Sequence, residues 1–380
     1  MPPPIQPFRV LLVSPLPPPV GGIASWTVNV TSYYESLQKS NLDLILCDSS
    51  SKGRRITSRS HSIRIYHGII NSLKTYWKVK KFLQEKPDVV HLVSSASFSL
   101  VKDILIIRLA RRRGVPVITH WRFGRIPALI KKNNWEYKLL SKVIKKSTYS
   151  IVIDQTSYNA LLKQGFNNVL NMPNPIAADV GSQTKTLVDA YQTRPSDAIL
   201  YVGHVVRGKG VYELVHACVQ NHKLNRLTLI GPYEEETKAA LMDIAKKRND
   251  GNWIEFLGSL EKSQVLEKMK AYSILALPSY TEGFPNVVLE AMAMGCAVVG
   301  TYVGAIPEML DIETNHPCGV CVSHQNIEDL TNAIDLLVGN TSKIEVMAKN
   351  GLKKVLNSYS MERVFAEYLQ HWENASDKNL

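Results

Sequence analysis

Short apolar runs alternate with helix-length segments along almost the whole chain, and this alternation limits the fold more than any other feature. In the first half the runs fall at 10–13, 42–47, 89–93, 115–119 and 149–153, and in the second at 199–202, 227–230, 254–257, 274–277 and 297–299. Strands apolar on both faces and separated by helical segments cannot be hairpin neighbours. They form parallel sheets whose crossover helices cover both faces. The pattern lapses once, after Asn171-Met-Pro-Asn-Pro175, into a stretch rich in Ser, Thr, Asp and Ala that ends near Ser196. The expected class is therefore α/β, with two doubly wound domains at 1–175 and 198–358, a linker at 176–197, and a last helix at 359–380 returning to the first domain. The 380 residues suit two domains of ordinary size. Two such sheets facing each other would bind ligands in a cleft at the carboxyl ends of the strands.

The longest uncharged run, 10–34, contains Pro15, Pro17, Pro18, Pro19, Gly21 and Gly22, which excludes a spanning helix. Ahead of those prolines only 10–13 is apolar, with Arg9 as its one basic flank, too little for a signal peptide. Five sparse cysteines argue for a reducing compartment, so a cytoplasmic location is expected.

Charge is divided unequally. Residues 1–180 hold 26 Lys/Arg against 9 Asp/Glu, and residues 181–380 hold 19 against 24, within a net charge of +12. A first half at +17 beside a second at −5 predicts a polyanionic partner for the first. In that half Ile69, Leu73, Tyr76, Trp77, Phe82 and Leu83 recur among Lys74, Lys78, Lys80, Lys81 and Lys86. A second cluster, 104–113, ends in Arg111, Arg112 and Arg113, and a third, 131–146, sets Trp135, Leu139, Leu140, Val143 and Ile144 among six lysines. Basic amphipathic helices with aromatics fit an anionic membrane surface, although each apolar face could equally pack on the domain's own sheet. A nucleic-acid-binding module is the competing class; no helix-turn-helix, zinc-finger or RRM signature supports it.

Three segments carry chemistry. Gly21 and Gly22 follow the first strand and open the first helix, where backbone amides can approach a ligand; a plain tight turn explains them equally well. Gly203-His204-Val-Val-Arg207-Gly-Lys209-Gly210 occupies the same place in the second domain. It nearly matches a P-loop, but Gly210 stands where a magnesium-holding Ser/Thr would be. Arg207 and Lys209 beside helix amides still suit a diphosphate. The third is Pro278-Ser-Tyr-Thr-Glu282-Gly283-Phe284-Pro285-Asn286-Val-Val-Leu-Glu290-Ala-Met-Ala-Met-Gly295. Pro285 fits the first helical position and Gly295 the stop, which puts Glu282 in a loop and Glu290 in a helix.

The spacing of Glu282 and Glu290, with Gly203, Lys209-Gly210, Gly231 and Asn174, resembles the retaining GT-B glycosyltransferases of family 4, over nearly the whole chain. The resemblance implies that Glu282 holds hydroxyls of the transferred sugar, Glu290 the ribose of the nucleotide, and Lys209 the donor diphosphate. It implies that His120, placed just after the run at 115–119, faces the sugar ring. It implies too that the Gly21-Gly22 loop closes over the phosphates, and that the amides of Gly283, Phe284 and Asn286, around Pro285, meet ligand oxygens. Where the family has Arg after the glycine this chain has His204, and Arg207 is the expected substitute. No cofactor and no obligatory divalent metal are implied.

The implied reaction is transfer of a hexose-type sugar from a nucleotide-diphosphate donor to a lipid-linked saccharide, with retention, in surface polysaccharide biosynthesis. The enzyme would sit peripherally on the inner face of the cell membrane. A nucleotide-sugar epimerase or a sugar phosphorylase on the same fold is the alternative. His316, Cys318, Cys321 and His324 form a compact set of metal-ligand types, but a strand through 319–322 would split them between two faces.

Overall fold

The computed structural model describes residues 6–18, 21–38, 41–50, 61–189 and 194–378, with the side chains of 61–67, 69 and 189 outside that description. Pro19 and Val20 of the glycine loop, the Ile69 side chain and residues 190–193 of the expected linker thus lie outside the described residues. Two compact units divide the chain: Met1–Pro175 with Met361–Leu380, and Ile176–Ser360.

The first unit runs β1 (Phe8–Ser14), α1 (Gly22–Ser36), β2 (Leu42–Asp48), α2 (His61–Phe82), β3 (Val89–Ser94), α3 (Ser99–Arg111), β4 (Val117–Trp121), α4 (Ile126–Lys132), α5 (Trp135–Lys146), β5 (Tyr149–Val152), α6 (Gln155–Lys163) and β6 (Val169–Asn171). Its sheet has the order β2-β1-β3-β4-β5-β6, all parallel. The second unit runs α7 (Ala178–Asp189), β7 (Ala198–Val202), α8 (Val211–Gln220), β8 (Arg226–Ile230), α9 (Glu235–Ala245), β9 (Ile254–Gly258), α10 (Lys262–Ala271), β10 (Ile274–Leu277), α11 (Asn286–Ala293), β11 (Ala297–Thr301), α12 (Ile306–Met309), β12 (Gly319–Val322), α13 (Ile327–Leu337) and α14 (Thr341–Tyr359). Its parallel sheet has the order β12-β11-β10-β7-β8-β9. The last helix, α15 (Met361–Asp377), belongs to the first unit and packs on α1, β3 and β4.

The physics behind the strands is plain in their burial. Val10, Leu11, Leu12 and Val13 of β1 and all four residues of β10 are buried, as a sheet covered on both faces requires. Helices begin where a side chain can take an otherwise unpaired amide: Asn134 accepts from the Tyr137 amide at 3.1 Å, and Asp154 from that of Ser157 at 2.7 Å. Both sheets reverse strand order beside their first strand, between β1 and β3 and between β10 and β7. At such a point the loops leaving two adjacent strands turn to opposite faces and open a crevice.

Several expectations need correction. Most of the expected linker is α7, which packs on α11 and α14 of the second unit; its short polar residues hid a helix whose face is completed only by those neighbours. β6 follows α6 as a three-residue edge strand too short to show a period. β4 runs to Trp121, so His120 lies inside the strand and not beyond it. The third basic cluster is two helices, broken where Asn133 takes the left-handed conformation at φ 44°.

The apolar residues of the basic helices divide between the two roles left open. Leu83, Leu140, Val143 and Ile144 are buried in the core of the first unit. Leu73, Trp77, Phe98, Val101, Leu105 and Trp135 are exposed, Trp77 at 59% and Phe98 at 69%, and the rings of Phe98 and Trp135 stack at 5.3 Å. Their helices α2, α3 and α5 are neighbours, so the exposed set lies on one layer of the unit.

Candidate functional site

In the second unit the loops leaving β7 and β10 meet at the switch point, and each contributes charge. After β7 the chain passes Gly203 and His204, makes a single turn of 3-10 helix at Arg207–Lys209, and enters α8 through Gly210. After β10 it passes residues 278–285 and enters α11. The Tyr280 amide donates to the Gly208 carbonyl at 3.0 Å, lacing the loops together. Gly210 has φ +70°, and a Cβ there would lie 2.0 Å from the Pro278 carbonyl oxygen. Only glycine permits this approach.

The laced loops bring Lys209 and Glu282 into contact: the Lys209 ammonium donates to Glu282 Oε1 at 2.6 Å. The Glu282 side chain is 12% exposed, and that of Lys209 about a third. Beneath them, buried Tyr201 donates its hydroxyl to the His204 carbonyl at 2.7 Å. Burial, and then the negative charge of Glu282, pushes the Tyr201 phenol well above its ordinary range, so it remains a neutral donor. The His204 side chain itself is exposed. Arg207 is exposed and lies 4.1 Å over the Tyr212 ring, a cation–π contact that keeps the guanidinium beside the loop.

Glu290 sits on α11 among buried Val288, Leu289, Ala291, Met292 and Ala293. Its side chain is 20% exposed, and Lys262 of α10 approaches Oε1 at 3.5 Å. Burial raises its carboxyl above the usual range, opposed by Lys262 and assisted by Asp179 of α7. Pro285 is the residue before the helix, with ψ 109°, and Asn286 is the first helical one, a one-position correction. The Phe284 ring is buried edge-on to Tyr359 at 5.6 Å, so its side chain anchors the loop and leaves only backbone for a ligand. The Gly283 carbonyl accepts from the Ala305 amide at 2.7 Å, which fixes the loop from the β11 side.

The first unit holds the other expected residues. Gly22 opens α1 and Gly21 precedes it in extended conformation; both are exposed, and an added Cβ would meet nothing within 4 Å of either. Neither a left-handed φ nor a close neighbour requires glycine at these two positions. His120 is fully buried, with its Nδ1 3.1 Å from His91 Nε2 and its ring edge-on to Trp26 at 5.1 Å. Arg122 lies over Trp26 at 4.8 Å and donates to Asn174 Oδ1 at 2.5 Å.

Sequence reasoning passed over Tyr201, Lys262, His91, Arg122 and Trp372. Arg122, two residues after His120 at the end of a strand, was the one with a readable position. The Cys318 and Cys321 thiols are buried and pushed up to about 12 by burial, while His316 and His324 are exposed. Among the described residues no group of three or more His, Cys, Asp or Glu could hold a metal ion.

Two outcomes follow from these contacts. Gly210→Ala forces a left-handed alanine against a carbonyl, so urea denaturation is expected to show a loss of about 2 kcal/mol or more; an unchanged midpoint would mean the loops separate freely. Glu290 has a folded-state pKa above its unfolded one, so its protonated form favours the fold. That contribution is complete below the ordinary carboxylate range and is lost as pH rises through the raised value. Glu290→Gln should therefore raise the denaturation midpoint at pH 7, with the gain shrinking toward pH 4. A gain equal at both pH values would show that the charge is not responsible.

The chain is similar to known proteins in sequence and in fold. Residues 192–354 match the family described as Glycosyl transferases group 1. The capsular polysaccharide biosynthesis glycosyltransferase CapM of Staphylococcus aureus is 28% identical over 171 residues, 44% of this chain and 43% of that one. The N,N'-diacetylbacillosaminyl-diphospho-undecaprenol alpha-1,3-N-acetylgalactosaminyltransferase of Campylobacter jejuni is 27% identical over 175 residues, 46% of this chain and 44% of that one. The matched stretch thus spans under half the length of either relative. The crystal structure of Anabaena HepE in complex with UDP superposes with a TM-score of 0.70 at 14% identity, covering 96% of this chain and 100% of that one, a likeness of fold. The architecture is that of GT-B proteins, two Rossmann-like α/β domains, and the second of them carries the match to glycosyl transferases group 1.

Proposed function

We propose that this protein is a metal-independent, retaining glycosyltransferase of family 4 that moves a hexose-type sugar from a nucleotide-diphosphate donor to a lipid-linked glycan. The observation that carries this reading is the Lys209–Glu282 contact at the switch point, with Glu290 on the following helix. Departure of a nucleotide diphosphate needs fixed positive charge where negative charge accumulates. Lys209 supplies it by exchanging its partner: as the ammonium turns from Glu282 to a phosphoryl oxygen, the carboxylate is released to accept from sugar hydroxyls. Arg207, parked on Tyr212, adds a second cation, and the N-terminal end of α8 contributes its dipole. Glu290 receives the ribose hydroxyls, and its depth in the unit shields that contact from water. The anomeric carbon acquires oxocarbenium character, and the acceptor attacks on the face the diphosphate leaves.

The lipid-linked acceptor and a place in surface polysaccharide synthesis are suggested by the names of the CapM and diphospho-undecaprenol relatives. They are suggested also by the exposed layer of Leu73, Trp77, Phe98 and Trp135 among lysines and arginines of the first unit. Such a layer suits peripheral docking on an anionic leaflet. Among the described residues no helix is long and apolar enough to cross a membrane.

A thermal-shift panel of UDP, GDP, ADP, CMP and dTDP with chelator tests the donor site. At about 100 times its dissociation constant one nucleotide should stabilise the protein by about 2.7 kcal/mol, and Glu290→Ala and Arg207→Ala should abolish or reduce that shift. Wild-type protein unmoved by every nucleotide would remove the donor pocket. For the membrane face, flotation with anionic vesicles at low salt should recover the wild type several-fold better than with neutral ones. Joint Trp77→Ala, Phe98→Ala and Trp135→Ala substitution should lower that recovery; equal recovery from both vesicle types would dismiss electrostatic docking.

A further inference from the structure

A line of three buried rings in the first unit has a direction. The Trp372 indole of α15 donates Nε1–H to His91 Nδ1 at 2.9 Å, and His91 Nε2 lies 3.1 Å from His120 Nδ1. Trp372, His91 and His120 are all essentially without solvent exposure. An indole nitrogen donates and never accepts, so His91 Nδ1 must be bare. Neutral His91 then carries its proton on Nε2 and donates it to His120 Nδ1. Neutral His120 in turn carries its own proton on Nε2. Burial keeps both rings neutral: it pulls His91 down to about 3 and His120 well below the ordinary imidazole range, and the Arg122 charge acts in the same direction on each.

The line ends on an unmet group. His120 Nε2 is buried and has no hydrogen-bond partner among the described residues, and the same is true of Arg122 Nε. Both residues lie against the Trp26 ring. A buried donor left unpaired is costly, and such a group calls for an explanation. Trp26 Nε1 and the Tyr368 hydroxyl, on rings packed against His120, also lack a partner among the described residues. Three of these four groups only donate when His120 carries its proton on Nε2, so the cluster suits a ligand that offers oxygen lone pairs.

We propose that Trp372 is a positioning residue: through His91 it fixes His120 as the Nε2–H tautomer, so that the first unit presents a hydrogen-bond donor, and not a base, to an acceptor oxygen of a saccharide hydroxyl. The choice of a saccharide rests on the glycosyltransferase reading; the tautomer does not. His91 and Trp372 touch no ligand in this scheme. They decide which end of the His120 imidazole carries the proton.

Long-range proton–nitrogen NMR on the full chain, labelled with ¹⁵N-histidine and free of ligand at pH 7, reads the tautomers directly. His120 is assigned by the signals lost in His120→Gln. The wild type should show both His91 and His120 protonated at Nε2 alone; a His120 protonated at Nδ1, or at both nitrogens, overturns the proposal. In Trp372→Phe the indole donor is gone and both rings should shift to a mixture of tautomers; a pattern identical to the wild type removes Trp372 from the mechanism. The His91 variants decide independently. In His91→Gln the amide oxygen can take the indole proton and the amide nitrogen can donate to His120, so His120 should keep the single Nε2–H form. His91→Leu should lose it, and equal His120 spectra in the Gln and Leu variants would overturn the relay. Because no nucleotide is present, these results stand apart from the thermal-shift panel: failed donor binding with the expected tautomers rejects only the saccharide, and the reverse rejects only the relay.

Discussion

Parallel strands cannot be joined by a tight turn, and nearly everything else in this protein depends on that constraint. Every strand must return through a helix on a face of the sheet, so all the loops leaving the strands gather at one edge. Where the strand order reverses, two of those loops diverge and leave a crevice. In the second unit they are the loops after β7 and β10, which carry Lys209 and Glu282. In the first unit the reversal lies between β1 and β3, and the chain leaving β1 leads to Gly21 and Gly22. The strands supply no chemistry in the second unit; they hold the ends of two loops close enough for an ammonium and a carboxylate to meet.

The way those loops are held bears on what they can do. The 2.6 Å ion pair is partly exposed, so its net stabilisation is small and its partners can be exchanged. The backbone under it is much less free, with Gly210 against the Pro278 carbonyl and Gly283 bonded to Ala305. A rigid backbone bearing an exchangeable ion pair is suited to binding an anion without rebuilding the site. Glu290 is the opposite case. Its carboxyl is enclosed by α10, α11 and α7 with one lysine nearby, and burial raises its pKa, so ionising it costs stability.

Both doubly wound domains were legible because buried parallel strands such as 10–13 and 274–277 are unbroken apolar runs, which few other elements resemble. The loop placement of Glu282 and the helix placement of Glu290 were legible too, since Pro285 and Gly295 mark where a helix can begin and end. Helix α7 was not. Its residues are Ala, Asp, Gly, Ser, Gln, Thr and Lys with two valines and a leucine, and it becomes helical by packing on α11 and α14, far away in sequence. The side chain of Phe284 was not legible for a related reason: the motif places its backbone beside a ligand but does not show that its ring turns toward Tyr359.

The chemistry around His120 shows how far such long-range dependence extends. Periodicity identifies α15 as amphipathic, with Phe365, Tyr368 and Trp372 on its buried side, and any large apolar residue at 372 would satisfy that pattern. What only tryptophan supplies there is the indole N–H. It lies 281 positions from His91, its acceptor. A buried imidazole pair has two equivalent ways to arrange its protons, and an obligate donor at one end makes them inequivalent. The protonation of His120 is therefore a property of the returning C-terminal helix as much as of β4, and the strand carrying His120 could not reveal it alone.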